Sequence, residues 1–190
     1  MSGFMNGYAE WVSQNPLTSA ALQFAILGTL GEVLSHSLRQ RRIALPCTAG
    51  QLYGKVAAWA LLGIIIKAGF VGMRGFTIAL LDHGLLPDWC GAGFGFALAL
   101  SVLTNTFFGP QMMAFHRLED NLILRQWNYN GLTKAWWTLL WFWIPAHTLT
   151  FSLPADYQIG LAALWSVALG LIMGFSKGSP QAKKKPRKAA

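Results

Sequence analysis

Five apolar stretches divide this chain, and its Lys and Arg residues fall in every second segment outside them. Of the 15 basic residues, 13 lie after the first, third or fifth stretch, and the other two are Lys67 and Arg74 inside the second. A membrane-spanning helix needs about 20 apolar residues, and loops on the cytoplasmic or matrix side gather Lys and Arg. The pattern therefore predicts a membrane protein that crosses the bilayer several times.

We expect an all-α fold, a polytopic transmembrane bundle of about five helices. The apolar stretches run over 17–38, 56–81, 91–115 (broken by Gly109 and Pro110), 135–153 and 157–175. An odd number of crossings puts the two termini on opposite sides. Because the basic tail marks the positive side, we predict the N-terminus out and the C-terminus in.

Two units follow from this arrangement, a transmembrane helical domain over 1–176 and a basic C-terminal tail over 177–190. The tail is rich in Lys, Pro and Ala, a composition that predicts disorder in isolation. Within it, Lys183, Lys184 and Lys185 are the expected contacts for anionic lipid at the inner face.

The composition excludes a typical soluble domain, since only 12% of residues are charged and soluble domains usually carry about 25%. The net charge of +8 does not indicate nucleic acid, because the basic residues flank apolar spans. Cys47 and Cys90 fall in loops on opposite predicted faces, which excludes a disulfide within the chain if that topology holds. The first 16 residues resemble neither a secretory signal nor an Arg-rich transit peptide.

A few polar side chains fall inside the predicted spans, where they are costly and usually face the bundle interior. Glu32, Lys67 and His147 lie at compatible depths, and Arg74 lies two turns beyond Lys67. One interpretation is a hydrophilic path lined by Glu32, Lys67 and His147, with Gln111 as a further candidate. The other is a structural ion pair of Glu32 with Lys67, with Arg74 reaching toward Asp82.

Aromatic and small residues indicate where partners or other helices contact the spans. The aromatic run of the fourth stretch includes Trp137, Trp141 and Trp143. These side chains predict either an interfacial belt in lipid or a docking face for another membrane subunit. Close helix contacts are predicted at two sets of glycines: Gly69, Gly72 and Gly75, and Gly91, Gly93 and Gly95.

Motifs for catalysis are absent from the sequence. It contains no phosphate-binding Gly-rich loop, no HExxH and no Cys cluster with metal-ligand spacing. We therefore predict a protein that is not an enzyme and has no cofactor or metal site.

The first stretch resembles the start of the Mpv-seventeen and twenty-two-kilodalton peroxisomal membrane protein family. The resemblance lies in Tyr8, Pro16, Gly31-Glu32 and His36. Further similarities are Gly69 to Gly72, Leu81-Asp82 and Pro87, and toward the C-terminus Trp143-Ile144-Pro145, Leu153-Pro154 and Trp165.

This resemblance implies an all-helical protein of an organellar membrane, most often the mitochondrial inner membrane or the peroxisome. It also implies channel-like behaviour with passage of a small solute or ion. The alternative is a structural accessory subunit of a large mitochondrial complex, respiratory or ATP synthase. Expected partners are membrane lipids and other membrane subunits or further copies of the chain.

Overall fold

The fold is an all-α bundle, as the sequence predicts. The structure, a computed structural model, describes residues 2–176, so the tail with Lys183, Lys184 and Lys185 lies outside the described residues. Within that range no strand occurs. The helices are α1 Ser2–Gln14, α2 Pro16–Gln40, α3 Ala49–Asp82, α4 Gly93–Leu103, α5 Gly109–Leu124, α6 Leu132–Thr138, α7 Ile144–Phe151 and α8 Ala155–Ser176.

Four helical segments are long and apolar enough to cross a membrane. They are Pro16–Gln40, Ala49–Asp82, Gly93–Leu124 and Ala155–Phe175. The chain is therefore described as an integral membrane protein. The predicted fourth stretch is helical from α6 to α7, but by length and hydropathy it is not among these segments.

The direction of α8 nevertheless requires α6 and α7 to traverse the bundle. Gln23 on α2 lies beside Gly160, Gly31 beside Ser166, and Leu38 beside Gly174. Residue numbers on α2 and α8 rise together, so the two helices run parallel. Three segments must then traverse the bundle between them: α3, α4–α5 and α6–α7. Five segments thus traverse the bundle, while the number of membrane crossings and their orientation stay predictions.

Small residues on α2, α3 and α8 let these helices approach closely. A Cβ added to Gly31 would lie 2.7 Å from the carbonyl oxygen of Ser166, and one added to Gly63 would lie 2.5 Å from that of Ala20. A Cβ on Gly170 would collide with the backbone of Gly31. Helix α2 therefore packs on both neighbours almost backbone to backbone.

The glycines predicted to make such contacts mostly do not. Gly69 packs against the ring of Phe108, but Gly72, Gly75 and Gly93 have no atom within 4 Å of an added Cβ. The close neighbours of Gly91 and Gly95 belong to the adjacent turn at Asp88 and Trp89. Glycine frequency alone did not reveal which helix face is buried.

Two prolines follow widened turns and do not end their helices. The expected break at Gly109 and Pro110 is a π-helical turn, Thr104–Phe108, through which α4 continues into α5. A second π-helical turn, Leu139–Trp143, joins α6 to α7 just before Pro145. Proline lacks the backbone donor of a regular helix, and a wider turn accommodates that loss.

Candidate functional site

Lys55 lies inside a helix, although the sequence interpretation placed it in an inner loop. Helix α3 begins at Ala49 because Thr48 and Gln51 form a capping box. The Gln51 backbone N–H donates to Thr48 Oγ1 at 3.3 Å, and the Thr48 N–H donates to Gln51 Oε1 at 3.1 Å. Lys55 is therefore in the second turn of α3, with its side chain only 6% exposed.

The Lys55 ammonium joins three helices in what we call the ion cluster: Glu32, Lys55, His116, Glu119 and Asp120. Lys55 Nζ lies 2.6 Å from Glu32 Oε2 on α2 and 2.7 Å from Asp120 Oδ1 on α5. Trp59 Nε1 also donates to Glu32 Oε1 at 2.9 Å. Glu32 thus contacts two residues of α3, one through an ion pair and one through a neutral hydrogen-bond donor.

His116 lies between the carboxylates of Glu32 and Glu119. Its Nε2 is 3.8 Å from Glu32 Oε1, and its Nδ1 is 3.6 Å from Glu119 Oε2. Glu119 Oε2 is buried and has no hydrogen-bond partner. Three carboxyl groups, those of Glu32, Glu119 and Asp120, thus surround one ammonium group and one imidazole ring.

The ion cluster has the donor types of a metal site, with Lys55 taking the place of the ion. One ligand atom each from Glu32, His116 and Asp120 lie within 4.8 Å of one another. The Lys55 ammonium contacts two of these three residues. Among the described residues this group therefore binds a side-chain cation.

The predicted pairing of Glu32 with Lys67 does not form. Lys67 follows Lys55 by twelve residues, about 18 Å along a helix, and α2 meets α3 at Gly28 against Trp59. Arg74 does not reach Asp82, because its guanidinium carbon lies 5.0 Å from the ring centre of Phe96. Among the described residues, no ion pair includes Lys67 or Arg74.

A central cavity of about 110 Å³ begins beside the ion cluster. Trp59 and His116 line one part of it, and Phe70 and His147 line another. Trp59 and Phe70 are eleven residues apart on α3, about 16 Å. The cavity thus follows the bundle interior past two of the four histidines of the chain.

His147, a predicted path residue, lines this cavity at the two π-helical turns. Its Nδ1 lies 3.1 Å from Asn105 Nδ2, and its ring packs against those of Phe70, Trp143 and Phe151. Sequence reasoning missed Asn105. The signal was an amide within an apolar stretch, five residues before a proline, which usually faces the bundle interior.

The tryptophans of the predicted docking face separate into two groups. Trp137 and Trp141 are 63% and 54% exposed on the bundle surface. Trp143 instead lines the central cavity, and its Nε1 is buried without a hydrogen-bond partner. Trp143 is therefore an internal residue of the candidate site, contrary to its expected role as a partner or lipid contact.

Among residues 2–176, two groups outside the membrane-spanning segments have shifted pKa values. Burial raises the pKa of the Cys47 thiol, the charge of Lys55 opposes that rise, and the carboxylates of Glu32 and Asp120 add to it. At the other end of the bundle, burial raises the pKa of Tyr8, against a lowering by its hydrogen bond to Gln23. The field of the ion cluster thus extends into the loop between α2 and α3.

Comparison with known proteins does not identify a function for this site. No protein-family model, curated protein or solved structure matches this chain. The resemblance noted above depends only on the residues quoted for it.

Proposed function

We propose that this chain is a non-enzymatic, channel-like protein that allows a small solute to pass through an organellar membrane. The observation that supports this most is the central cavity, which extends from His116 of the ion cluster to His147 and Asn105. The resemblance to the Mpv-seventeen family favours the same activity, with the mitochondrial inner membrane as the first location and the peroxisome as the second.

The lining of the cavity favours small uncharged solutes over hydrated ions. Most of its walls are apolar side chains, including Phe24, Leu62, Ile66 and Met112. An ion there would lose water without gaining charged partners, which is costly. Passage would also require a wider conformation, and the two π-helical turns are points where these helices can adjust.

The test is solute flux into liposomes that contain the purified protein. We expect uptake of a small polyol to fall by about tenfold in His147→Phe and Asn105→Leu, an amount equal to ~1.4 kcal/mol in the barrier. His83→Phe is a matched control, because His83 is exposed beyond α3. Full flux in folded cavity variants would count against this cavity as the route, and no flux in the unaltered protein would count against passage.

A second candidate function is that of an accessory subunit in a large mitochondrial membrane complex. The exposed side chains of Trp137 and Trp141 favour it, since aromatic residues often anchor buried contacts between subunits. Native purification should then recover defined partners that Trp137→Ala with Trp141→Ala loses and that Trp127→Ala, also exposed, retains. Recovery of the chain alone from its native membrane would exclude this function.

A further inference from the structure

Helix α1 has its apolar and its polar side chains on opposite faces. The apolar ones recur at the spacing of a single helical stripe, which consists of Phe4, Met5, Tyr8, Trp11 and Val12. The opposite face has exposed polar side chains, those of Asn6, Glu10, Ser13 and Gln14. Glu10 alone among the 13 residues of α1 is charged. Such a helix either packs its stripe against protein or lies in the surface of a membrane.

The bundle buries the middle of this stripe but not its edge. Val12 is 1% exposed and belongs to the hydrophobic core with Phe24 of α2, and Tyr8 is half-buried. At one edge of the stripe, however, Phe4 is 81% exposed and Trp11 is 37% exposed. Phe4 and Trp11 are seven residues apart, so they lie on the same side of the helix. This edge is therefore an apolar surface that the described part of the bundle leaves open.

Helix α1 turns back onto the bundle instead of extending α2 away from it. Tyr8 and Gln23 are fifteen residues apart, which is about 22 Å along a continuous helix. The Tyr8 hydroxyl nevertheless donates to Gln23 Oε1 at 2.7 Å, because the backbone leaves the helical conformation at Asn15, where ψ is 59°. The hydroxyl of Tyr157, at the start of α8, also donates to the Met5 carbonyl oxygen at 3.2 Å. Helix α1 thus lies level with the first two turns of α2 and α8.

The side chains beside α1 indicate where the bilayer surface lies. The rings of Tyr8 and Tyr157 stack with their centres 5.8 Å apart, and tyrosine is enriched where lipid headgroups meet water. A groove beside these rings is lined by Leu27 and Leu164, of which Leu164 is half-exposed. Leu27 lies four residues beyond Gln23, about 6 Å further along α2. The apolar surface of two helices long enough to span a membrane thus begins just beyond α1, which places α1 itself at the level of the headgroups.

We propose that α1 is an interfacial helix that binds the phospholipid surface, with Phe4 and Trp11 at the acyl-chain boundary and Glu10 toward water. The occupant of the open edge is lipid because α1 runs directly into Pro16–Gln40, a segment long and apolar enough to cross a membrane. Helix α1 contains no Lys or Arg, so this binding relies on apolar contact and does not require anionic headgroups. The proposal requires only an integral membrane protein and is independent of solute passage.

The test measures the depth of single nitroxide labels by EPR. The full chain with Cys47→Ser and Cys90→Ser is reconstituted into phosphatidylcholine vesicles and labelled at Phe4→Cys or, as the matched control on the polar face, at Glu10→Cys. Collision rates are measured with oxygen, which concentrates in lipid, and with a water-soluble nickel chelate. We expect the Phe4→Cys label to collide mainly with oxygen and the Glu10→Cys label mainly with nickel. Both positions are exposed, so neither change should disturb the fold.

The contrary results are equally specific. The same dominant collision partner at both positions, whether nickel or oxygen, would show that α1 does not lie between lipid and water and would overturn the proposal. Few collisions with either reagent in Phe4→Cys would overturn it too, because protein would then cover the open edge, as a second copy or another subunit would. So would a Phe4→Cys label that enters lipid only after phosphatidylglycerol is added. The expected depths together with absent liposome flux would support the interfacial helix and contradict the passage proposal.

Discussion

The ammonium nitrogen of Lys55 lies 2.6 Å from a carboxylate oxygen of Glu32, and this contact joins α3 to α2 inside the bundle. The same nitrogen lies 2.7 Å from Asp120 on α5. One cation thus connects three of the traversing segments beside the central cavity. The properties of the candidate site therefore depend on Lys55 more than on Lys67, the lysine that lies deeper in α3.

Replacing Lys55 by Met should destabilise the bundle strongly. The change leaves two carboxylates without their buried cation, and breaking a buried ion pair typically costs about 3–5 kcal/mol. Thermal unfolding in detergent measures the loss. Lys134→Met is the matched control, because Lys134 is exposed. Adding Glu32→Gln to Lys55→Met should recover part of the stability, and a purely additive double variant would contradict direct coupling.

Gly31→Ala should weaken the packing of α2 on α8. The new methyl group would lie 2.7 Å from the Ser166 carbonyl oxygen, so the two backbones must separate, at a cost of about 1–3 kcal/mol. Gly72→Ala introduces the same group with no atom within 4 Å and should not destabilise the fold. Equal melting temperatures for the two variants would rule out the tight contact at Gly31.

Cys47 should react slowly with a thiol reagent at neutral pH and faster as the pH rises. Its raised pKa leaves less thiolate than an ordinary cysteine has at the same pH. Lys55 lowers this pKa, so Lys55→Met should slow the reaction further if the variant stays folded. Stopped-flow alkylation from pH 7 to 10 in a Cys90→Ser background gives the rates. An ordinary pH profile for Cys47 would contradict the influence of burial.

Tyr8→Phe should cost about 1 kcal/mol, the value of one neutral hydrogen bond. The Tyr8 hydroxyl donates to Gln23 Oε1 at 2.7 Å and so ties α1 to α2. Because folding raises the Tyr8 pKa above 10.0, the folded state binds more protons once the pH exceeds that value. Stability should hold below about pH 10 and decline above it. In Tyr8→Phe this alkaline decline should shrink, whereas Tyr53→Phe, at an exposed site, should keep it.

Cysteine labelling should place residues 134 and 156 on opposite sides of the membrane. Lys134 lies near the start of α6 and Asp156 near the start of α8, and α6–α7 must traverse the bundle between them. In a chain without native cysteines, an impermeant reagent should label Lys134→Cys only from the side of the C-terminus. Labelling of Asp156→Cys from that same side would mean that α6–α7 does not cross.

The helix ends show how far sequence reasoning reaches. The apolar runs predict the five segments that traverse the bundle. On the inner side, however, each predicted segment stops where charged residues begin, so the prediction places Lys55 and Asp120 outside the helices. In the structure α3 begins at Ala49 and α5 continues to Leu124. The capping pair Thr48 and Gln51 was a readable signal for the earlier start. The residues that Lys55 contacts on other helices, by contrast, cannot be predicted from the sequence around it.

By itself, the sequence determined that the chain is helical and apolar enough for a membrane, because hydropathy and charge depend only on residue type and order. It also showed that Glu32 and His147 are polar groups inside apolar stretches. Only the tertiary structure decided that Lys55 pairs with Glu32, that Trp143 turns inward and that Gly31 contacts α8. Those outcomes depend on the rotation and register of the packed helices. Close backbone contacts between segments that are distant in the sequence determine both.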